Sequence, residues 1–199
     1  ASYSGDSNYL AADGAGLQDV DRALTGITLS ASAAAAVFGE PVTLTATVTP
    51  VAPGAGLPTG PVEFFDTGGS IGLADLDPVS GVAVLVTNAL AVGDRALTAA
   101  YAGDPSFEGS LSGDPVGLTV APAAAAVLMS TSADPATFGQ EVTLTFEVVP
   151  AAPSTGVPTG DLAVSIDGAA PVTLSLTGGV AALTLEPLPV GTYLLSVDY

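Results

Sequence analysis

The 199-residue sequence has no cysteine, no histidine and no tryptophan, and its only basic side chains are Arg22 and Arg95. Each absence removes a class of chemistry. Without lysine there is no Schiff base, without histidine no general base titrating near neutrality, and without cysteine no thiol nucleophile, soft-metal ligand or disulfide. Twenty acidic residues against two basic ones leave a net charge of −18. A surface of that sign repels nucleic acid, whose phosphates need clustered Lys and Arg, so no nucleic-acid partner is expected. No apolar run approaches the roughly 18 residues of a membrane span, so no membrane insertion is expected of this segment. The sequence opens on Ala1-Ser2-Tyr3, with neither a charged start nor an apolar signal segment, so any secretion signal is expected to lie outside it.

The chain is nevertheless 48% apolar, mostly Ala, Val and Leu interleaved with Thr, which is ample for folded cores and argues against disorder. Its strongest feature is internal repetition. Tyr3-Ser4-Gly5-Asp6 returns as Tyr101-Ala102-Gly103-Asp104, and Tyr199 stands a further 98 residues on, the same interval that separates Tyr3 from Tyr101. Phe38-Gly39-Glu40-Pro41-Val42-Thr43-Leu44-Thr45 returns as Phe138-Gly139-Gln140-Glu141-Val142-Thr143-Leu144-Thr145, and Pro58-Thr59-Gly60 as Pro158-Thr159-Gly160. The spacing drifts between 98 and 100, which places short insertions in loops.

Within a repeat the period is two. Val42, Leu44, Ala46 and Val48 alternate with Thr43, Thr45, Thr47 and Thr49, as in a strand with one face buried. The runs 27–32, 62–66, 81–87, 95–101 and 116–120 read in the same way, separated by the Gly, Pro, Asp and Ser clusters of turns. About seven short strands per roughly 100 residues predicts an all-β fold of tandem immunoglobulin-like sandwiches, antiparallel with Greek-key connections. Helix propensity in Ala33 to Ala36 is overruled by its counterpart Ala133-Asp134-Pro135-Ala136, because proline breaks a helix. A kink in the first strand is expected there. The run Ala123 to Ala126 after Pro122 reads as a short, stiff connector. The expected organisation is a strand segment at 1–20 belonging to a preceding or neighbouring repeat, a complete repeat at 21–120, and a repeat lacking its last strand at 121–199.

The succession Phe38 to Thr45, the Pro/Gly-rich loop Val51 to Gly60, Leu90 to Gly93 and Tyr101 to Asp104 resembles the bacterial immunoglobulin-like tandem repeats of large cell-surface and secreted proteins. That resemblance spans the chain and implies a scaffold at the cell surface or outside the cell, with no catalytic site and no required cofactor.

Candidate functional residues are few. Asp6 and Asp104, each following a glycine after a tyrosine, are read as turn-forming aspartates, with calcium bridging as the sharper alternative. Asp75-Leu76-Asp77-Pro78 reads as an Asp-Pro turn rather than a calcium loop. A glycosidase carboxylate pair would need only Asp and Glu, but the acids are scattered among turns, and there are only five Tyr and six Phe to stack sugars. Phe38, Phe64, Phe138, Tyr101 and Tyr199 are assigned to core packing. In the strand at 81–87, Ala83 and Leu85 are expected inward and Val82, Val84 and Val86 outward, as an apolar stripe for lateral contact.

The expected function is therefore a non-catalytic structural module of an extracellular stalk, sheath or filament. The alternative is an adhesive module binding a glycan or host protein through the loops 51–60 and 151–160. The expected partner is the chain itself, head to tail: both ends fall at one phase of the repeat, so residues 1–20 would complete the second repeat of a preceding copy, or of one longer polypeptide. Leu17 and Val20 would then pack against Leu195 and Val197.

Overall fold

Apolar residues at every second position give a strand one face to bury, so strands pair edge to edge through their backbones and stack face to face through their side chains. The computed structural model describes all of residues 1–199 and contains 17 strands and no helix. Strands β1 (Ser2–Tyr3) and β2 (Ala12–Asp13) form a small hairpin whose residues stay exposed. The first module follows as β3 (Thr25–Ala31), β4 (Ala35–Val37), β5 (Val42–Pro50), β6 (Pro61–Asp66), β7 (Gly69–Asp75), β8 (Val82–Thr87), β9 (Gly93–Gly103), β10 (Glu108–Leu111) and β11 (Val116–Ala121). One sheet runs β3-β5-β8 and the other β4-β11-β9-β6-β7, with β10 also paired to β9.

The first strand breaks where the kink was expected. Between Ala31 and Ala35 the chain leaves the β3 edge and crosses to the facing sheet, where β4 pairs in parallel with β11. Ser32 fixes the departure: its amide donates to the Thr43 carbonyl at 2.8 Å and its hydroxyl accepts from the Thr43 amide at 3.0 Å. Facing residues of the two sheets, among them Leu44, Val48, Val62, Phe64 and Leu97, are fully buried, each stabilising by about 1.5–3 kcal/mol relative to exposure.

Pro122 to Ala124 join β11 to the second module; Ala125 and Ala126, expected in the connector, already belong to the next strand. That module comprises β12 (Ala125–Thr131), β13 (Val142–Pro150), β14 (Asp161–Ile166), β15 (Val172–Ser175), β16 (Val180–Leu185) and β17 (Leu195–Asp198), in sheets β12-β13-β16 and β15-β14-β17. Nothing occupies the place of β11. With it goes the counterpart of β4, since residues 133–137 have no strand to pair with. The core shrinks accordingly, from 17 buried residues in the first module to 6 in the second.

Two hairpins escaped the sequence reading. β6 turns into β7 through Thr67 and Gly68, both at positive φ, the two-residue turn that suits the twist of paired strands. Asp167 and Gly168 repeat it ahead of β15.

Candidate functional site

The most specific structure lies where the modules meet. The turn Phe38-Gly39-Glu40 links β4 to β5, and Gly39 takes a φ of +80°. The Pro/Gly-rich loop between β13 and β14 docks against it. The Thr155 amide and hydroxyl both donate to the Gly39 carbonyl, at 3.1 and 2.9 Å. The Asn88 side-chain amide, from the loop between β8 and β9, donates to the Thr155 hydroxyl at 3.1 Å. A Cβ on Gly39 would stand 2.8 Å from both the Gly156 nitrogen and the Ser154 hydroxyl, so the close approach requires glycine. Phe38 lays its ring over Gly156, and a cleft of about 200 Å³ beside it is lined by Phe38, Val92, Pro122, Val157 and Tyr199. With only three residues between strands, this docking leaves little room for rotation.

Three of the aromatic assignments to the core need correction. Phe64 and Tyr101 are buried, but Phe38 is 41% exposed, Phe138 74% and Tyr199 54%. Phe38 serves the junction. Phe138, in the same turn of the second module, is left uncovered, and nothing lies within 4 Å of a Cβ on Gly139. Tyr199 follows directly on β17, which pairs on one side only.

At the opposite pole of the first module, the Tyr-x-Gly-Asp motif acts as a clamp. One oxygen of Asp104 accepts from the Ser106 and Phe107 amides, both at 2.8 Å, closing the turn between β9 and β10. The other accepts from the amide and hydroxyl of Thr59, both at 2.9 Å, while the Tyr101 hydroxyl donates to the Thr59 carbonyl at 2.9 Å. Burial pushes the Asp104 carboxyl upward, but these hydrogen bonds outweigh it and hold it down at about 2. Burial, with the Asp104 charge adding to it, raises the Tyr101 hydroxyl to about 12. The Pro58-Thr59-Gly60 and Tyr-x-Gly-Asp motifs, separate in sequence, are thus two halves of one contact.

Asp6 makes the same turn. It accepts from the Asn8 and Tyr9 amides at 2.8 and 2.9 Å, but its second oxygen takes the Tyr3 hydroxyl at 2.8 Å. The Asn8 amide bond, then the Tyr3 hydroxyl, lowers its carboxyl below the usual range. Neither aspartate converges with other acids, and no group of three or more His, Cys, Asp and Glu side chains assembles to hold a metal. Asp77 is likewise committed to its turn, accepting from the Ser80 hydroxyl and from the Ser80 and Val79 amides.

The remaining candidates fall on three surfaces. Val82, Val84 and Val86 point away from the core, opposite Thr47, Thr45 and Thr43 of β5; Val82 is half-buried and the other two exposed. Leu17 and Val20 are fully exposed and approach neither Leu195 nor Val197. Those two line the open side of the second module, half-buried where their counterparts Leu97 and Ala99 are sealed. No helix is long and apolar enough to cross a membrane.

Two sandwiches built on one plan and locked through a glycine turn define an immunoglobulin-like tandem protein. The chain belongs to the bacterial Ig-like domain (group 3) family, whose model matches it twice, at residues 29–121 and 129–199. Solved structures with similarity include the D0-D1 domain of intimin, at 20% identity and TM-score 0.35, covering 85% of this chain and 88% of that one. The Yersinia pseudotuberculosis adhesin InvE shares 19% identity at TM-score 0.40 over 86% of this chain, and the Escherichia coli adhesin FdeC 17% at 0.31 over 81%. The chain spans about half the length of these two, 54% and 55%. No curated protein matches the chain at a significant level.

Proposed function

We propose that this chain is a non-catalytic structural unit of a cell-surface or extracellular stalk, sheath or filament, in which immunoglobulin-like modules follow one another head to tail at fixed angles. The observation that carries this reading is the Thr155–Gly39–Asn88 contact. It engages the loop 151–160, one of the two that an adhesive module would present to a ligand, with the neighbouring module instead. The corresponding loop 51–60 is partly used up by its own fold, through Thr59 on Asp104 and Gly54 against Ala23. The high negative charge keeps neighbouring fibres apart except where an uncharged surface faces outward, and Val82, Val84 and Val86 supply such a stripe for lateral contact.

An array of glycans and extracellular-matrix proteins, probed with the intact chain and with a chain carrying Gly/Ser replacements in loop 51–60, tests the reading. The expected result is no saturable binding by either protein. Saturable binding that disappears on loop replacement would establish the adhesive alternative.

A further inference from the structure

The sheet β3-β5-β8 is the only sheet of the chain without a charged residue. The sheet facing it carries Glu63 and Asp66, the second module's sheets carry Glu147, Asp161 and Asp198, and the small hairpin carries Asp13. In a chain of net charge −18, this is the surface on which two copies can approach without opposing carboxylates.

Its free edge is β8. A strand edge invites pairing unless something blunts it, and the first module blunts its other edges. β4 and β10 are three and four residues long. β7 has two glycines, a bulge at Ile71 and a terminal Asp75. β3 leaves its sheet after Ala31 and is tied near its start to β10, the Thr25 hydroxyl donating to the Glu108 carbonyl at 2.7 Å. β8, Val82-Ala83-Val84-Leu85-Val86-Thr87, has no charge, proline, glycine or bulge, the composition that pairs most readily with a like segment.

The backbone shows where a partner would bond. The Gly81 carbonyl takes the Val48 amide at 3.0 Å. Successive residues of an antiparallel strand turn their backbone groups to opposite sides, so Ala83, Leu85 and Thr87 bond to β5 while Val82, Val84 and Val86 face outward. Asp77 covers the first of these, its amide donating to the Val82 carbonyl at 2.8 Å. No hydrogen bond from outside the sheet reaches the backbone of Val84 or Val86, and their side chains are 50% and 60% exposed.

We propose that β8 pairs antiparallel with β8 of a second copy of the chain about a two-fold axis at Leu85, each Val84 opposite the partner's Val86. This register uses the free amides and carbonyls of both valines, leaves Asp77 on Val82, and joins two three-stranded sheets into one of six. The inference rests on the structural-unit reading above and names the partner of its lateral contact. A two-fold contact is self-complementary and closes, so it ties stalks in pairs. β16 is the corresponding edge of the second module, but there Glu147 stands opposite Val180 and Glu186 follows Leu185, so acids would meet across the axis. The overall charge opposes association even at β8, which therefore strengthens as salt screens it.

The chain has no cysteine, so introduced thiols report the register. Val84→Cys protein mixed with Val86→Cys protein should form a disulfide-linked dimer on mild oxidation several-fold faster than either variant alone, and reduction should dissolve it. Equal rates in the mixture and in the single variants overturn the inference. Sedimentation of the unsubstituted chain should show a monomer–dimer equilibrium that tightens several-fold from low to physiological ionic strength. Val84→Glu with Val86→Glu should abolish the dimer, while Ala182→Glu on β16 should leave it unchanged. A monomer at every ionic strength, or a dimer that survives both β8 charges, also overturns the inference. Either failure leaves the contact between Gly39 and Thr155 intact, so the inference can fail while the stalk reading stands; loss of that contact would leave the β8 dimer in place.

Discussion

The Thr155 hydroxyl, in the second module, donates to the Gly39 carbonyl of the first across 2.9 Å, and the Thr155 amide donates to the same oxygen. One carbonyl in a glycine turn therefore carries most of the polar contact that sets the angle between modules. Gly39→Ala adds a Cβ where the Gly156 nitrogen and Ser154 hydroxyl already lie, and imposes left-handed strain of about 1–2 kcal/mol. Gly139→Ala, in the equivalent turn at φ +90°, meets nothing and carries the strain alone. Both variants should lose stability by chemical denaturation, Gly39→Ala the more, and only Gly39→Ala should change the small-angle scattering profile.

Thr155→Val keeps the shape of the loop, removes the hydroxyl and leaves Asn88 without its partner. The expected loss is about 1 kcal/mol. In a double-mutant cycle with Asn88→Ala the two losses should not add, with a coupling of about 0.5–1 kcal/mol. Full additivity would mean that the Asn88 contact contributes nothing.

The clamp at the other pole gives the first module a pH signature. The Asp104 carboxyl, held at about 2 against an ordinary 3.8, lends stability that is complete above the ordinary value and is lost as pH falls from about 4 to about 2. Tyr101, raised from 10.0 to about 12, lends stability that is complete below pH 10 and is lost as pH rises toward 12. Denaturation midpoints across pH should lose the acid-side slope in Asp104→Asn and the alkaline slope in Tyr101→Phe. Removing the Asp104 carboxylate should cost about 1 kcal/mol near neutrality, since the site is partly open to solvent.

Much of the fold was legible because a half-buried strand writes its alternation directly into sequence, as from Val42 to Thr49, and because the repeat let Pro135 overrule the helix propensity of Ala33 to Ala36. β7 was not legible. It is an edge strand that holds Gly69 and Gly72, and it carries a bulge at Ile71, opposite Phe64 and Phe65 of β6, so neither face shows a clean period. The Asp167-Gly168 turn was a readable signal that went unused. The junction was hidden for another reason: position 55 of the first loop is Ala where the second has Thr155. The repeat thus marked the framework that both loops share, while the hydroxyl that fixes the junction stands at a difference between them. Phe38 and Phe138 looked like core because their sequence context is that of a strand, yet each sits in a turn at a module's end.

Nitrogen-15 relaxation on the intact chain tests most directly whether the two modules form one mechanical unit. Amides in β5 and β9 of the first module and in β13 and β14 of the second should fit one anisotropic diffusion tensor, with a correlation time well above that of a lone module of this size. Two separate, shorter correlation times, one for each module, would contradict the fixed junction and with it the structural role proposed for the chain.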